Sequence, residues 1–363
     1  MFDHISLLPL AGIFLAAAGA IWVAGIYVSD TTAVLSKRIG LGEALGGIIV
    51  LAIVTNLPEI AIAVSAAQGG QVDLAVGNIL GGIAIQTVVL VVLDAFGVGR
   101  ADTLTRKATS LVPVLEAGLV IAVLAVSVLG SQLPKSLVVA GITPAGGLIL
   151  VLWVAGVWLI GRANKDLPWE KKKATDDHPK TFQNHSRNQG RPAKTTAGAE
   201  PAKPAHSTRR VALMFGAAAA VTLVAGVLLE RSGEALATQL GMGGAVFGAT
   251  VLAAATALPE VSTGLAAIKQ QNYELAIGDI FGGNAFLPVL LLVAGVVSGK
   301  AVLPLASKLD VYLTGLGMLL TSVYLYGLIM RPKKQVAGMG LDSLIVLVLY
   351  GLGVLGVLAI GNR

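Results

Sequence analysis

Ten long apolar stretches divide this chain of 363 residues, and they limit the folds that are open to it. Each has the roughly 20 residues that an α-helix needs to cross a hydrocarbon core about 30 Å thick. Strands of a transmembrane barrel would instead alternate apolar and polar residues over about ten positions. The stretches are residues 10–29, 41–67, 72–97, 108–130, 137–161, 211–229, 241–268, 272–298, 308–330 and 341–360. We therefore predict an all-α polytopic membrane protein with ten transmembrane helices.

The composition agrees with this class, because 55% of the residues are hydrophobic and only 13% are charged. Residues 1–9 carry no Lys or Arg, so the first stretch is predicted to be a retained span and not a cleaved signal. The chain has no cysteine, which excludes thiolate metal sites and disulfides.

Basic residues predict the orientation. If residues 162–210 are cytoplasmic, 21 of the 26 Lys and Arg residues lie on that side and five lie outside. This places the protein in the plasma (inner) membrane with both termini outside. The net charge of +6 is then a consequence of topology and needs no nucleic-acid partner.

The same loop divides the chain into two halves. Residues 1–161 hold five predicted spans and residues 211–363 hold the other five, so the second half crosses the membrane in the opposite sense. Such inverted repeats are typical of transporters that work by alternating access. The loop is rich in Lys, Pro, Thr and Ala and is predicted to be disordered. Its histidines, His178, His185 and His206, have no metal-site spacing, and His4 lies at the N-terminus.

One motif occurs in both halves. Thr55-Asn56-Leu57-Pro58-Glu59 is followed by Gly77-Asn78, and Thr256-Ala257-Leu258-Pro259-Glu260 is followed by Gly278-Asp279. In each copy 19 positions separate the glutamate from the Asn or Asp, and one offset of 201 aligns the copies without a gap. This is an internal repeat.

The repeated residues point to a site for a hard cation. Each proline removes a helical hydrogen bond about one turn before its glutamate and frees backbone carbonyls. A carboxylate in mid-membrane costs about 2.5 kcal/mol or more, so two at equivalent positions favour a function over a merely satisfied polar pair. Carboxylate, hydroxyl and carbonyl oxygens suit Ca²⁺. Glycines at 77, 81, 82, 278, 282 and 283 are expected to let the third and eighth helices approach closely, although such spacing is also common in ordinary helix packing.

Together, these motifs resemble the Ca²⁺/cation antiporter superfamily, whose best-known branch is the Na⁺/Ca²⁺ exchangers. The resemblance implies a Ca²⁺ site made by Glu59, Glu260, Thr55 and Thr256, and Asn78 and Asp279 follow in the paired motif. The exchangers have Ser where this chain has Asn56 and Ala257, and a polar or acidic residue where it has Gln86 and Leu287. Since several Na⁺ ligands are replaced, the resemblance implies Na⁺ as counter-ion while the departures favour H⁺. Asp279 adds a third acid that could carry protons.

The predicted function is therefore secondary exchange of Ca²⁺ for a monovalent cation, with no cofactor and a monomer as the functional unit. A monovalent cation/H⁺ exchanger, another divalent cation/H⁺ exchanger and a channel remain alternatives. An intramembrane enzyme is disfavoured, because the predicted spans contain no His-Glu-x-x-His and no histidine. Asp73 and Glu274 are interpreted as helix N-terminal charges, and Glu116 as a minor candidate in the fourth span.

Overall fold

The computed structural model describes residues 5–38, 51–99, 102–134, 142–163 and 207–361, together with residues 2, 136 and 137. Most of the basic loop, residues 164–206, lies outside the described residues, as do all four histidines. The predictions about the loop's disorder and its histidines therefore stay predictions.

In the described part of the first half, all the secondary-structure elements are helices. Its helices are α1 (Leu7–Arg38), α2 (Leu51–Thr55), α3 (Leu57–Gly69), α4 (Val72–Leu93, continued by a π-helical turn Asp94–Val98), α5 (Leu104–Lys107), α6 (Val112–Ser131) and α7 (Pro144–Ala163). A left-handed Gly70, at φ 78°, ends α3 and reverses the chain into α4.

The second half repeats this order. Its helices are α8 (Thr208–Gln239), α9 (Gly244–Phe247, continued by a π-helical turn Gly248–Leu252), α10 (Ala253–Thr256), α11 (Leu258–Lys269), α12 (Tyr273–Phe286), α13 (Val289–Ser298), α14 (Lys308–Met330) and α15 (Leu341–Gly361). A 3₁₀ turn, Leu303–Leu305, precedes α14. Two short antiparallel strands, β1 (Gln335–Val336) and β2 (Met339–Gly340), form a hairpin before α15, with Gln335 opposite Gly340.

The helices make a polytopic membrane bundle. Among the described residues, eight helical segments are long and apolar enough to span a membrane, and a ninth span results if the pair Gly248–Thr256 and Leu258–Lys269, bent by 41°, is counted as one. The remaining predicted span, 41–67, is described only from residue 51, where it comprises α2 and most of α3. The all-α prediction is therefore confirmed.

The inverted repeat is visible in the helix boundaries. Helices α1 and α8 are both 32 residues long, and their first and last residues are 201 positions apart (208 − 7 and 239 − 38). Both broken helices are interrupted at equivalent residues. These are Asn56, with φ −85° and ψ 17°, and Ala257, with φ −79° and ψ 0°. Each break lies three residues before a motif glutamate, as the proline predicted.

Helices α1 and α8 extend well beyond the predicted spans 10–29 and 211–229. Hydropathy finds only the apolar part of a helix, whereas these extensions carry polar side chains that are buried against other helices. Thr32 is 2% exposed and both Glu230 and Ser232 are fully buried. A second difference is the predicted span 272–298, which is interrupted at Pro288 between α12 and α13.

Each long helix covers the break of the opposite half. Gly25 of α1 lies against Pro259, so close that a Cβ on the glycine would be 2.8 Å from the proline Cβ. Gly226 of α8 lies against Pro58, where a Cβ would be 3.1 Å from the proline carbonyl oxygen. Since Gly25 and Gly226 are themselves 201 positions apart, these two contacts are equivalent under the repeat.

The motif glycines make their closest approaches to the broken helices. Gly81 of α4 touches the backbone of Ala249 in the π-helical turn after α9, and a Cβ at Gly283 of α12 would lie 2.7 Å from Asn56 Nδ2. Helices α4 and α12 do contact each other as predicted. Two of these glycines, Gly81 and Gly283, also seat the broken helix of the opposite half.

A buried aspartate joins the end of α4 to the hairpin before α15. Asp94 is 1% exposed and accepts hydrogen bonds from Leu104 N at 2.7 Å and from Gly340 N and Ser343 Oγ at 2.6 Å each. Its partners come from both halves of the chain, so this carboxylate holds the halves together at one end of the bundle.

Candidate ion-binding site

The two motif glutamates begin the helices that follow the breaks. Glu59 lies in the first turn of α3 and Glu260 in the first turn of α11, where the helix dipole favours a negative charge. Both side chains are fully buried. They come from opposite halves of the chain, and neither faces lipid.

Both glutamates converge on one amide. Gln86 Nε2 lies 3.5 Å from Glu59 Oε1 and 3.5 Å from Glu260 Oε1. Two atoms that are each 3.5 Å from a third cannot be more than 7.0 Å apart. The same nitrogen is 3.3 Å from Asn56 Oδ1. The amide NH₂ group therefore occupies the space between the carboxylates, with its positive end towards both.

Several oxygens around this space lack hydrogen-bond partners. Within the described part of the chain, Glu59 Oε2, Glu260 Oε2, Gln86 Oε1 and Asn78 Oδ1 are buried and accept no hydrogen bond. Burying an acceptor without a partner is costly, and it costs more for a carboxylate. These oxygens are therefore available to accept a hydrogen bond or to coordinate an ion.

Asp279, in contrast, has partners for both of its oxygens. Thr55 Oγ1 donates to Oδ1 at 3.1 Å and Thr263 Oγ1 donates to Oδ2 at 2.6 Å. One donor comes from each half. Asp279 therefore lies near the glutamates, as the sequence suggested. Both of its carboxylate oxygens, however, already accept hydrogen bonds from hydroxyl groups.

The other predicted site residues, Thr256, Asn56 and Asn78, differ in their hydrogen-bond partners. Thr256 donates its hydroxyl to the carbonyl of Ala253 at 3.2 Å, which leaves the lone pairs of its oxygen free to coordinate. Asn56 donates through Nδ2 to the carbonyl of Ala52 at 2.5 Å. Asn78 is fully buried on α4, and neither of its amide atoms has a partner among the described residues.

Three further polar residues of this region were not predicted. Besides Thr263, Asn284 donates through Nδ2 to Thr87 Oγ1 at 3.1 Å and approaches the carbonyl of Ile83 at 3.5 Å. The residue equivalent to Thr263 in the first half is Ile62, so a comparison of the two halves does not identify Thr263 as a site residue. Its spacing from Glu260, three positions along one helix face, is the signal that could have found it.

The remaining acidic candidates lie outside the glutamate pair. Asp73 and Glu274 are in the first turns of α4 and α12, as interpreted from the sequence, and Glu274 Oε1 accepts from Thr109 N at 2.7 Å. Glu116 is 1% exposed on α6, and neither of its oxygens has a partner in the described residues.

The arrangement suits one cation held by two carboxylates and several neutral oxygens. Across the described ranges, no group of three or more His, Cys, Asp or Glu side chains is arranged to hold a metal ion by itself. A cation at the Glu59–Glu260 pair would consequently complete its coordination with hydroxyl, amide and backbone oxygens, which Ca²⁺ accepts readily.

Comparison with known proteins supports an exchanger-type fold. The profile of the family described as "Sodium/calcium exchanger protein" matches residues 9–160 and 210–359. The inner membrane protein YrbG of Escherichia coli (strain K12) is 26% identical over 330 residues, which cover 88% of this chain and 89% of YrbG. The "Putative antiporter CaxA" of Alkalimonas amylolytica is 27% identical over 293 residues, which cover 79% and 80% of the two chains.

A solved structure shares the fold. The sodium-calcium exchanger NCX_Mj, soaked with 2.5 mM Na⁺ and 0.1 mM Ca²⁺, superimposes with a TM-score of 0.59 at 15% identity, covering 96% of this chain and 98% of that one. At this identity the likeness establishes the architecture. The two segments matched by the family profile contain both glutamate motifs.

Proposed function

Since this chain belongs to the sodium/calcium exchanger family, we propose that it is a secondary antiporter that exchanges Ca²⁺ for a monovalent cation. One observation carries the proposal. Two fully buried carboxylates, one from each inverted half, face a single amide group and each retains an oxygen without a partner. A divalent cation between them would neutralise both charges and use the free oxygens.

The proposed Ca²⁺ ligands are the oxygens of that region. Glu59 and Glu260 supply the charge, and Thr55, Thr256, Asn78, Asn56 and Gln86 supply neutral oxygens. Gln86 would turn its Oε1 towards the ion, because its Nε2 now occupies the space between the carboxylates. Asp279 holds Thr55 and Thr263 in place and adds negative charge nearby.

Exchange follows if the carboxylates hold either one divalent ion or the monovalent ions, and not both. The two halves then rock around the fixed site and open it alternately to the two sides. Because both halves of the site come from one chain, a monomer is a sufficient transport unit.

The energetics require several monovalent ions per Ca²⁺. Export against a gradient of about 10⁴ costs about 5.5 kcal/mol, and moving two charges against about 100 mV adds about 4.6 kcal/mol. One monovalent ion that enters down a tenfold gradient and the same potential returns about 3.7 kcal/mol. About three ions per Ca²⁺ are therefore needed, and net positive charge moves with the monovalent ion.

Family membership favours Na⁺ as the counter-ion, whereas Asn56 and Ala257 favour H⁺, because they stand where the resemblance expects Ser hydroxyls. Because the same two replacements favour H⁺, a cation/H⁺ exchanger for a monovalent or another divalent ion is the second candidate. Radioactive Ca²⁺ uptake into proteoliposomes, driven separately by a Na⁺ gradient and by a pH gradient, distinguishes the two counter-ions. Competition by Mg²⁺, Mn²⁺ and Na⁺ tests the transported ion.

The decisive variant is Glu260→Gln, which keeps the side-chain shape and removes one charge from the pair. We expect it to abolish Ca²⁺ uptake. Glu274→Gln, a change of the same type on α12 at a residue bonded to Thr109, should retain uptake. Ca²⁺ uptake that survives Glu260→Gln would contradict the proposed site.

We place the protein in the inner (plasma) membrane with both termini outside and residues 162–210 in the cytoplasm, on the basis of the Lys and Arg distribution. The natural chain has no cysteine, so single cysteines can report the orientation. In intact cells a membrane-impermeant thiol reagent should label Lys300→Cys and leave Lys333→Cys unlabelled. The reverse pattern would invert the topology.

A further inference from the structure

A small cavity lies behind the candidate ion site, between α2, α6, α7 and α12. Its volume is about 20 Å³, enough for one water molecule. Among the described residues that line it, Glu116 alone is titratable, and the others are uncharged and almost all apolar. They are Ala52, Ile53, Leu119, Trp153, Val157, Ile160, Phe281, Gly282, Ala285 and Phe286.

The carboxyl group of Glu116 has no hydrogen-bond partner among the described residues. Its side chain is 1% exposed, and both Oε1 and Oε2 lack a hydrogen bond to any described residue. An isolated carboxylate in such surroundings is far more costly than the neutral acid. A hard metal cation does not fit either, because it requires about six or more oxygen ligands and this wall offers one carboxyl group. The chemistry of the cavity suits a proton.

The cavity and the ion site share two helices. Ala52, which lines the cavity, accepts a hydrogen bond at its carbonyl from Asn56 Nδ2 at 2.5 Å. Phe281 and Gly282 also line it, and they follow Asp279 by two and three positions on α12. A movement of α2 or α12 that accompanies ion binding would therefore change the space around Glu116.

We propose that Glu116 is a proton-binding site of the transport cycle, separate from the Glu59–Glu260 pair and coupled to it through α2 and α12. The neutral acid is stable in this small, largely apolar cavity. When the helices separate and water enters from one side of the membrane, Glu116 passes its proton to that water; when the site next opens to the other side, the carboxylate takes a proton from hydronium there. Linkage requires that ion binding and Glu116 protonation affect each other equally.

The proton itself can be observed without transport. In infrared spectra of the purified full-length protein at neutral pH, we expect a carbonyl stretch of a protonated carboxylic acid that Glu116→Gln removes. Glu116→Asp keeps a carboxyl group and should shift the band in frequency, which covers the case that the Gln variant fails to fold. Glu230→Gln is the matched control, because Glu230 is equally buried but bonded to Ser65 and Arg231. It should leave the band unchanged.

The coupling rests on the proposed antiport and is tested separately. In proteoliposomes, Glu116→Gln should release fewer protons per Ca²⁺ taken up than the unaltered protein, by about one. A spectrum that Glu116→Gln and Glu116→Asp leave unaltered would overturn the proton site. A lost band with an unchanged proton count would overturn the coupling. If the unaltered protein transports no Ca²⁺, the proposed function fails, while the infrared result still decides whether Glu116 holds a proton.

Discussion

The hydroxyl of Thr55 donates a hydrogen bond of 3.1 Å to the carboxylate of Asp279, although the two residues are 224 positions apart and belong to opposite halves of the chain. The bond ties the helix before the first break to the helix that carries the second Asn/Asp motif. The two copies of the motif differ in this respect, since the equivalent residue in the first half, Asn78, has no such partner among the described residues.

The second hydroxyl on Asp279 should be important for stability. Thr263→Val removes a 2.6 Å bond to a buried carboxylate and should lower the free energy of unfolding by about 1.5–3 kcal/mol. Thr250→Val is the control, because among the described residues Thr250 Oγ1 bonds only to the carbonyl of Val246 within its own helical segment. Thermal unfolding in detergent gives the comparison. Equal effects of the two variants would mean that the Thr263–Asp279 bond contributes nothing specific.

Gln86 should set the affinity for the divalent ion. Gln86→Ala removes an amide oxygen that we propose turns towards Ca²⁺, and it should weaken Ca²⁺ binding about tenfold, or about 1.4 kcal/mol. Gln86→Glu should strengthen divalent binding by adding another negative charge to the proposed ligands. Equilibrium Ca²⁺ binding to the purified protein measures both. Unchanged affinity in the alanine variant would remove Gln86 from the ligand set.

The glycine that seats α8 on Pro58 should not tolerate a larger side chain. In Gly226→Leu the new atoms would meet Pro58 and Ala61, and overpacking of this kind costs about 1–3 kcal/mol. Gly216→Leu is a matched control on the same helix, since a Cβ at Gly216 meets nothing within 4 Å. Melting temperature and Ca²⁺ uptake should both fall for the first variant only.

Asp94 should be a structural residue and not a transport residue. Asp94→Ala leaves Leu104 N, Gly340 N and Ser343 Oγ without their acceptor, at a cost of about 3 kcal/mol or more. Asp102→Ala, at a partly exposed ion pair with Arg106, should cost less than about 1 kcal/mol. Denaturation measurements compare them. If Asp94→Ala leaves stability unchanged and abolishes uptake, Asp94 belongs to the ion pathway instead.

The sequence was sufficient to predict the membrane class, the inverted repeat and the breaks before Glu59 and Glu260, because each depends on local pattern or on a comparison of the two halves. It was insufficient for contacts that the repeat does not duplicate. Thr263 has an isoleucine as its counterpart, and Asn284 replaces an isoleucine, so neither position stands out by symmetry. The lengths of α1 and α8 were also missed, since polar residues buried between helices are indistinguishable by hydropathy from residues in water.

The reciprocal packing of Gly25 on Pro259 and of Gly226 on Pro58 means that neither half is complete alone. A single half released from its companion would leave its proline-interrupted segment bare to lipid acyl chains. Two halves produced as separate chains would therefore have to pair before either is covered, each supplying its longest helix to the other.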